Sequence, residues 1–210
     1  SGPTAQTANY SIDTKEPTIS GLAIESNNSN NNTLAKEYEE VTLTITTNEP
    51  ILTPTVTFTS NGDSINNSPI CEGSGTNWTA KYIVHSDDSD GAVAASVIVT
   101  DLSGNETTST NISGSVTIDT TSPTISALSI ASNNSNNNWA KVGDLVILTI
   151  TTNKPILTPS ISFINISWNI ITVVESNNGK TWTATYTVGP NDQEVAVSVI
   201  VTVTDLSGNE

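Results

Sequence analysis

The sequence of 210 residues contains one cysteine, one histidine, no methionine and no arginine. A lone cysteine, Cys71, excludes an intrachain disulfide and any zinc site built from several thiolates. One cysteine does not indicate whether the protein is located in an oxidising or a reducing compartment. What remains is a composition rich in Ser, Thr, Asn and β-branched residues, which favours strands over helices.

The single histidine, His85, limits the chemistry that the chain can perform. No Ser-His-Asp triad or histidine-based metal cluster can be assembled from one imidazole. Paired carboxylates alone support glycoside hydrolysis, but no acidic residue falls where the sequence suggests a cleft. We therefore predict that the chain is not an enzyme and requires no cofactor.

Basic residues and long apolar runs are also scarce. Six lysines against 21 acidic residues give a formal net charge of -15 and a pI near 4.1. Nucleic acid is excluded as a partner because Lys and Arg supply the energy of phosphate binding. No apolar run reaches the roughly 20 residues that span a bilayer, so we predict no membrane insertion. No basic start precedes an apolar stretch, which predicts the mature form if the chain is exported.

An internal repeat is the strongest signal in the sequence. The tract Ser26–Asn32 recurs letter for letter as Ser132–Asn138, and Val99–Glu106 recurs as Val203–Glu210. With length for two cores of about 100 residues each, the chain is predicted to hold two tandem domains.

Apolar residues alternate with polar ones inside each copy, which is the period of a strand with one buried face. Val41, Leu43 and Ile45 show this pattern. Each full copy has seven such segments, the last at Val116 with Ile118, so we predict an all-β fold of two tandem immunoglobulin-like β-sandwich domains.

Two further residue types are expected in these cores. Trp78 and its repeat Trp182 are interpreted as core residues, with sugar stacking as the alternative. Cys71 is expected to fill a small apolar space before Trp78, where copy two has Val174 or a neighbour.

Three strings carry a resemblance to a known family: Ile118–Ile125, Asn77–Ala80 and the repeated Val99–Glu106. They look like the bacterial Ig-like repeats of large extracellular adhesins and surface or filament proteins. The resemblance covers essentially the entire chain. It implies a non-catalytic spacer, stalk or adhesive module on an extracellular cell-surface appendage, with cell-surface or glycan ligands among its partners.

The register of the repeat is informative at both ends. Tyr10–Pro17 aligns with Val116–Pro123, so the first residues match a last strand, and nothing after Glu210 matches Thr107–Ile118. We expect a donor-type strand at 1–14, domain 1 at 15–121, and domain 2 at 122–210, lacking its last strand.

A sandwich without its last strand invites strand addition from another chain. Our leading hypothesis is a filament subunit that assembles head-to-tail with itself, in which residues 3–14 complete domain 2 of a neighbour. Thr4, Tyr10 and Ile12 are the expected contact residues. The alternative is that the chain is a stalk, spacer or ligand-binding segment of a giant tandem-repeat adhesin.

Calcium sites at the domain junctions are implied by the resemblance, because oxygen-only ligands suit this hard cation. The same residue types favour turns, so a plain turn is the alternative. The candidate ligands are Asp13, Asp101, Asn105, Glu106, Asp119, Asp205 and Asn209.

Asn-x-Ser/Thr triplets are also frequent, although a chain so rich in Ser and Thr contains many by composition alone. The candidate glycosylation sites are Asn27, Asn31, Asn66, Asn77, Asn105, Asn111, Asn133 and Asn165.

Overall fold

The computed structural model describes residues 10–164 and 172–210. All regular structure in these ranges is β-strand, and the chain divides into two compact units between Asp119 and Thr120. We call them unit 1 and unit 2. The described residues contain no helix that is long and apolar enough to cross a membrane.

Residues 10–119 of unit 1 contain ten strands, three of them only two residues long. They are β1 (Ile19–Ser26), β2 (Leu34–Ala35), β3 (Glu40–Thr47), β4 (Thr55–Ser60), β5 (Asp63–Ser64), β6 (Ile70–Ser74), β7 (Asn77–Ile83), β8 (Gly91–Thr100), β9 (Glu106–Ser109) and β10 (Thr117–Ile118).

These strands form two sheets. The first has the order β1-β3-β7-β6, and the second has the order β2-β10-β8-β4-β5, with β9 also paired to β8. β1, β3, β7 and β6 correspond to the ABED sheet of an immunoglobulin-like sandwich, and β4, β8 and the β9–β10 segment correspond to its CFG sheet. The predicted fold class is confirmed by this strand order.

The core of unit 1 lies where the alternating faces of the two sheets meet. Val41, Leu43 and Ile45 of β3 are fully buried, as is Val97 of β8. Their polar neighbours in sequence are less buried or exposed, as the period of two requires. Phe58 packs against the same cluster from β4.

Unit 2 repeats the first sheet and part of the second. Its strands are β11 (Ile125–Ser132), β12 (Leu145–Thr152), β13 (Ser160–Ile164), β14 (Thr172–Ser176), β15 (Thr181–Thr187) and β16 (Ser198–Thr202). They form a sheet of order β11-β12-β15-β14 and a pair β13-β16. Residues 120–164 and 172–210 contain no strand equivalent to β9 or β10.

Trp78 and Trp182 occupy the places that the alternation predicts. Trp182 is buried in unit 2, and Trp78 is half-buried against the core of unit 1. Each indole N–H donates to a backbone carbonyl three residues earlier, that of Gly179 or Gly75 respectively. Both indoles therefore satisfy their polar atom while their rings pack.

Candidate functional site

Two apolar residues on β11 of unit 2 are far more exposed than their equivalents in unit 1. Leu128 and Ile130 have exposed fractions of 48% and 42%, whereas Leu22 and Ile24 on β1 have 6% each. The pairing of β11 with β12 follows the same register as that of β1 with β3. The difference therefore arises from what lies over the strand.

In unit 1 the segment that leads into β10 covers these positions. The Ile24 amide donates to the Ser113 carbonyl at 3.0 Å, and the Ser113 amide donates to the Leu22 carbonyl at 2.9 Å. Val116 and Ile118 then point into the core and are essentially fully buried. The last strand thus closes the sandwich with both main-chain bonds and apolar side chains.

Other neighbours of β10 also lose their regular structure in unit 2. β10 pairs in parallel with β2, but Trp139 and Ala140, which take the place of β2, belong to no strand. β10 also pairs with the first two residues of β8, whereas β16 begins only at Ser198. We call the surface formed by Leu128, Ile130, Trp139 and the outer edge of β16 the open edge.

The predicted donor residues are exposed where the structure describes them. Tyr10 and Ile12 have exposed fractions of 86% and 77%, and residues 10–14 belong to no strand of their own chain. Thr4 lies outside the described residues. Tyr10 and Ile12 align with the buried Val116 and Ile118, so they carry apolar side chains in the same alternation without being buried.

A second feature, in unit 1, is an acidic cluster made of Asp13, Glu49 and Asp101. One carboxylate oxygen from each lies within 4.8 Å of the others. Asp101 is buried and follows β8 directly. The Asn105 side chain bonds its Oδ2 at 2.8 Å and also donates to the Asp13 carbonyl at 3.3 Å. Asn105 thus joins the loop after β8 to the segment before β1.

Hydrogen bonding keeps the Asp101 carboxylate charged. The Asn105 side-chain bond, helped by backbone N–H groups of Asn105, Ser103 and Gly104, lowers the pKa of Asp101 below its ordinary value although burial opposes this. The structure brings the predicted residues Asp13, Asp101 and Asn105 together. It adds Glu49, which sequence reasoning missed.

Unit 2 has a lysine where unit 1 has Glu49. Lys154 Nζ lies 3.1 Å from Asp205 Oδ2 and 2.5 Å from the Thr121 carbonyl. The substitution of Lys for Glu at this repeated position was visible in the sequence and is the signal that would have found Glu49.

The remaining predicted ligands have bonds of their own. Asn209 Nδ2 donates to Asp205 Oδ2 at 3.0 Å. Glu106 accepts a bond from Thr100 Oγ1, and the Asp119 amide donates to the Ala35 carbonyl. The acidic cluster does not include Glu106 or Asp119.

Hydrogen bonds divide the candidate glycosylation sites, because a glycan is attached through Nδ2. Asn66 and Asn105 donate Nδ2 to the buried carboxylates of Asp88 and Asp101. Asn77 donates Nδ2 to Thr76 Oγ1 on an exposed surface.

The other candidates are bonded through different atoms. Asn27, Asn31 and Asn133 accept through Oδ1, and Asn111 donates its backbone amide. Asn165 lies outside the described residues. The bonds to buried carboxylates therefore disfavour attachment at Asn66 and Asn105.

His85 makes a local hydrogen bond in a turn, and Cys71 packs against the core. His85 Nδ1 accepts from the Asp87 amide at 3.3 Å on an exposed turn. Cys71 lies half-buried against the core, and this burial raises the pKa of its thiol. Cys71 pairs with Ala80 as Val173 pairs with Ala184, so its counterpart is Val173, the neighbour of Val174.

Comparison with known proteins leaves the family open. No protein-family model matches the chain. No curated protein matches it either.

Two of the similar solved structures are from titin. Tandem Ig domains align over 90% of this chain and 95% of theirs, with 12% identity and a TM-score of 0.30. A three-Ig structure of an E-to-A mutated variant aligns over 90% of this chain, with 10% identity and a TM-score of 0.35. This chain covers 65% of that structure, less than two thirds of its length. The fold assignment rests on the strand order, because both TM-scores are below 0.5.

Proposed function

We propose that the chain is a structural link of an extracellular fibre, in which the segment around Tyr10 and Ile12 of one copy completes unit 2 of the next. The observation that supports this most directly is the exposure of Leu128 and Ile130 at positions that β10 and its preceding segment cover in unit 1. A sheet edge of this kind recruits a strand from another chain.

The proposed occupant has the side-chain pattern of β10. Tyr10 and Ile12 align with the buried Val116 and Ile118, and Ser11 aligns with the exposed Thr117. The match is restricted to this short run. Gly114 of unit 1 has a φ of 84°, and a Cβ there would lie 2.7 Å from the Ile24 carbonyl, so Ala8 at the aligned position would be strained there.

Strand addition would bury apolar area on both partners. A fully buried Leu or Ile side chain contributes roughly 1.5–3 kcal/mol, and Leu128 and Ile130 are each about half exposed. Main-chain hydrogen bonds along the open edge would add affinity. Because the donor segment belongs to unit 1 and the acceptor edge to unit 2, the contact is head-to-tail and produces an open polymer when rotation does not close a ring.

The test uses the full chain with donor variants, followed by light scattering and electron microscopy. The double variant Tyr10→Asp with Ile12→Asp should leave a monomer, because two charges would enter an apolar groove. The matched control Ser11→Asp changes the residue aligned with exposed Thr117 and should assemble like the natural chain. A natural chain that stays monomeric at high concentration contradicts the proposal.

A mixing experiment tests direction. Leu128→Asp with Ile130→Asp impairs the acceptor but keeps the donor, whereas the double donor variant does the reverse. Each alone should be monomeric, and an equimolar mixture should form dimers and no longer species. Long polymers in the mixture would rule out a single head-to-tail contact.

A second candidate function is a stalk or spacer segment of a giant tandem-repeat adhesin. Letter-for-letter recurrence of long tracts supports it, since arrays of near-identical modules are typical of such proteins. This candidate differs in its outcome, because the purified chain would remain monomeric at high concentration.

A further inference from the structure

The outer face of one sheet in unit 2 carries no charged side chain on its described strands. The registers of β11, β12, β15 and β14 align the outward residues in rows across this sheet. Leu128 and Ile130 alternate with the outward residues of β11, so this face and the open edge use opposite sides of that strand. We call the surface the neutral face, and its rows are Ala127-Thr151-Thr181-Ser176, Ser129-Thr149-Thr183-Val174, Ala131-Ile147-Thr185-Thr172 and Leu145-Thr187.

Unit 1 carries charges at the equivalent positions. The outer face of its sheet β1-β3-β7-β6 includes four charged side chains, those of Glu25, Glu40, Glu72 and Lys81. Unit 2 has an uncharged residue at each of these places, in the same order Ala131, Leu145, Val174 and Thr185. Because charge keeps protein surfaces solvated and apart, the exchange of all four charges for neutral groups favours a contact on this face.

The distribution of charge along the chain points to the same unit. Unit 1 has three lysines against 15 acidic residues, a formal charge of -12, whereas unit 2 has three lysines against six, a formal charge of -3. Two copies of the chain therefore repel each other least when they approach through unit 2. The neutral face is the sheet surface of that unit on which no side-chain charge opposes the approach.

The neutral face is complementary to itself, because hydroxyl groups both donate and accept hydrogen bonds. Seven of its 14 residues are threonine, and Ile147 and Val174 add apolar area, with Val174 55% exposed. The 14 residues include no aromatic ring to stack on a sugar and no amide to bond sugar hydroxyls. The partner that fits this surface is a second copy of the same surface.

We propose that the neutral face packs on the neutral face of a second copy, so that neighbouring fibres associate side by side into bundles. The bundles rest on the fibre described under Proposed function. The packing is that of two sheets face to face, about 10 Å apart, as in the interior of a sandwich. Identical surfaces that meet in this way are related by a two-fold axis.

The area of the neutral face explains why a fibre is needed. Four strands of five to eight residues cover roughly 19 Å by 23 Å. Two such faces would bury about 900 Å², below the roughly 1,200 Å² at the lower end of stable pairwise interfaces. Single chains should therefore stay apart, whereas many weak contacts along two fibres act together.

The first test compares fibres of the natural chain with fibres of a triple variant, both in chelator. The variant installs glutamates that unit 1 has at the same positions, through Ala131→Glu, Leu145→Glu and Val174→Glu. Electron micrographs should show parallel bundles for the natural chain and separate fibres of equal length for the variant. Low-speed centrifugation should sediment about tenfold less of the variant, since each weakened contact is multiplied along the fibre.

A matched control adds the same number of charges to exposed strand positions of unit 1, through Thr55→Glu, Thr57→Glu and Ala94→Glu. Its fibres should form bundles like those of the natural chain. Natural fibres that lie singly would overturn the lateral contact and leave the proposed fibre intact. Bundles that dissolve in chelator would also overturn it, because cations would then bridge acidic surfaces. Should the triple variant fail to fold, Val174→Glu alone takes its place, since that side chain is exposed.

A second test needs no fibre. Particles are coated with the chain that carries Tyr10→Asp and Ile12→Asp, which cannot donate its strand, and are compared with particles that carry the three glutamates of unit 2 as well. The first particles should aggregate through many weak contacts, and the second should stay dispersed. Aggregation of both kinds, or of neither, would overturn the lateral contact. Aggregation of the first kind alone, with a natural chain that forms no fibres, would contradict only the proposed fibre.

Discussion

Units 1 and 2 are copies of one repeat, but the surroundings of three equivalent positions differ between them. Leu22 and Ile24 on β1 are buried in unit 1, whereas Leu128 and Ile130 on β11 are about half exposed in unit 2. The buried aspartate after the long strand faces carboxylates in unit 1 and a lysine in unit 2. The buried tyrosine hydroxyl has a hydrogen-bond partner in unit 2 but none among the described residues in unit 1. Nearly the same strands therefore form one sandwich that a last strand closes and one whose described residues contain no equivalent of that strand.

The largest expected effect comes from opening unit 1 itself. Ile118→Ala should lower the free energy of unfolding of unit 1 by about 2–5 kcal/mol, since it removes a fully buried side chain and leaves a cavity. Ile12→Ala, at the aligned and exposed position, should change the stability of monomeric protein by less than about 0.5 kcal/mol. Hydrogen exchange in denaturant measures the stability of each unit separately in both variants. An equal loss of stability from Ile118→Ala and Ile12→Ala would contradict the contrast between the buried and the exposed position.

The next largest effect is expected at Tyr82 and Tyr186, which occupy equivalent positions in units 1 and 2. Tyr186 Oη donates to Asp192, whereas Tyr82 Oη is buried without a hydrogen-bond partner among the described residues. Tyr186→Phe should cost unit 2 about 1–3 kcal/mol, and Tyr82→Phe should be neutral or slightly stabilising because it removes an unsatisfied hydroxyl. Urea unfolding of the two variants measures this. A larger loss from Tyr82→Phe would reverse the interpretation.

Alkaline pH should lower the stability of unit 2 through the hydroxyl of Tyr186. Burial, with the bond to Asp192, raises the pKa of Tyr186 from 10.0 to about 12. A raised pKa in the folded state means that the stabilisation is complete below pH 10 and is lost as pH rises towards 12. The stability difference between the natural chain and Tyr186→Phe should shrink over this range. A constant difference would show that Tyr186 does not titrate in this way.

The smallest intrinsic effect is expected at Trp139. Its side chain is 71% exposed where unit 1 has Leu34, so Trp139→Leu should change the stability of monomeric unit 2 by less than about 0.5 kcal/mol. If the open edge accepts a strand, the same substitution should weaken assembly. Thermal unfolding and sedimentation measure the two quantities, and a large loss of monomer stability would indicate that Trp139 packs within unit 2.

The sequence predicted the long strands well because their alternation is a local property. β3, β7 and β8 follow the apolar period closely, and Cys71, which the sequence places before Trp78, lies on β6. The two-residue strand β2 has no such period and exists only through its pairing with β10. β5 is local instead, because it forms a hairpin with β4 across Asn61 and Gly62.

The acidic cluster was predictable only in part for a similar reason. Asp13 and Asp101 belong to repeated strings that attract attention, whereas Glu49 lies in a turn far from both in sequence. Its role depends on tertiary placement, and only the exchange of Glu49 for Lys154 between the repeats marks it.

The parallel pairing of β2 with β10 affects how unit 1 resists a stretching force. Thr117 and Asp119 amides donate to the Thr33 and Ala35 carbonyls at 2.9 Å, so an early and a late part of unit 1 run side by side in the same direction. A force that pulls the start of β2 away from the end of β10 would slide these strands past each other and load their bonds together rather than one by one.

Unit 2 lacks this arrangement among its described residues, so we expect it to extend at a lower force than unit 1 in single-molecule stretching. A bound strand would raise the unfolding force of unit 2 towards that of unit 1 only if the pulling force passes through that strand. In a fibre joined in that way, mechanical strength would appear at the moment of assembly.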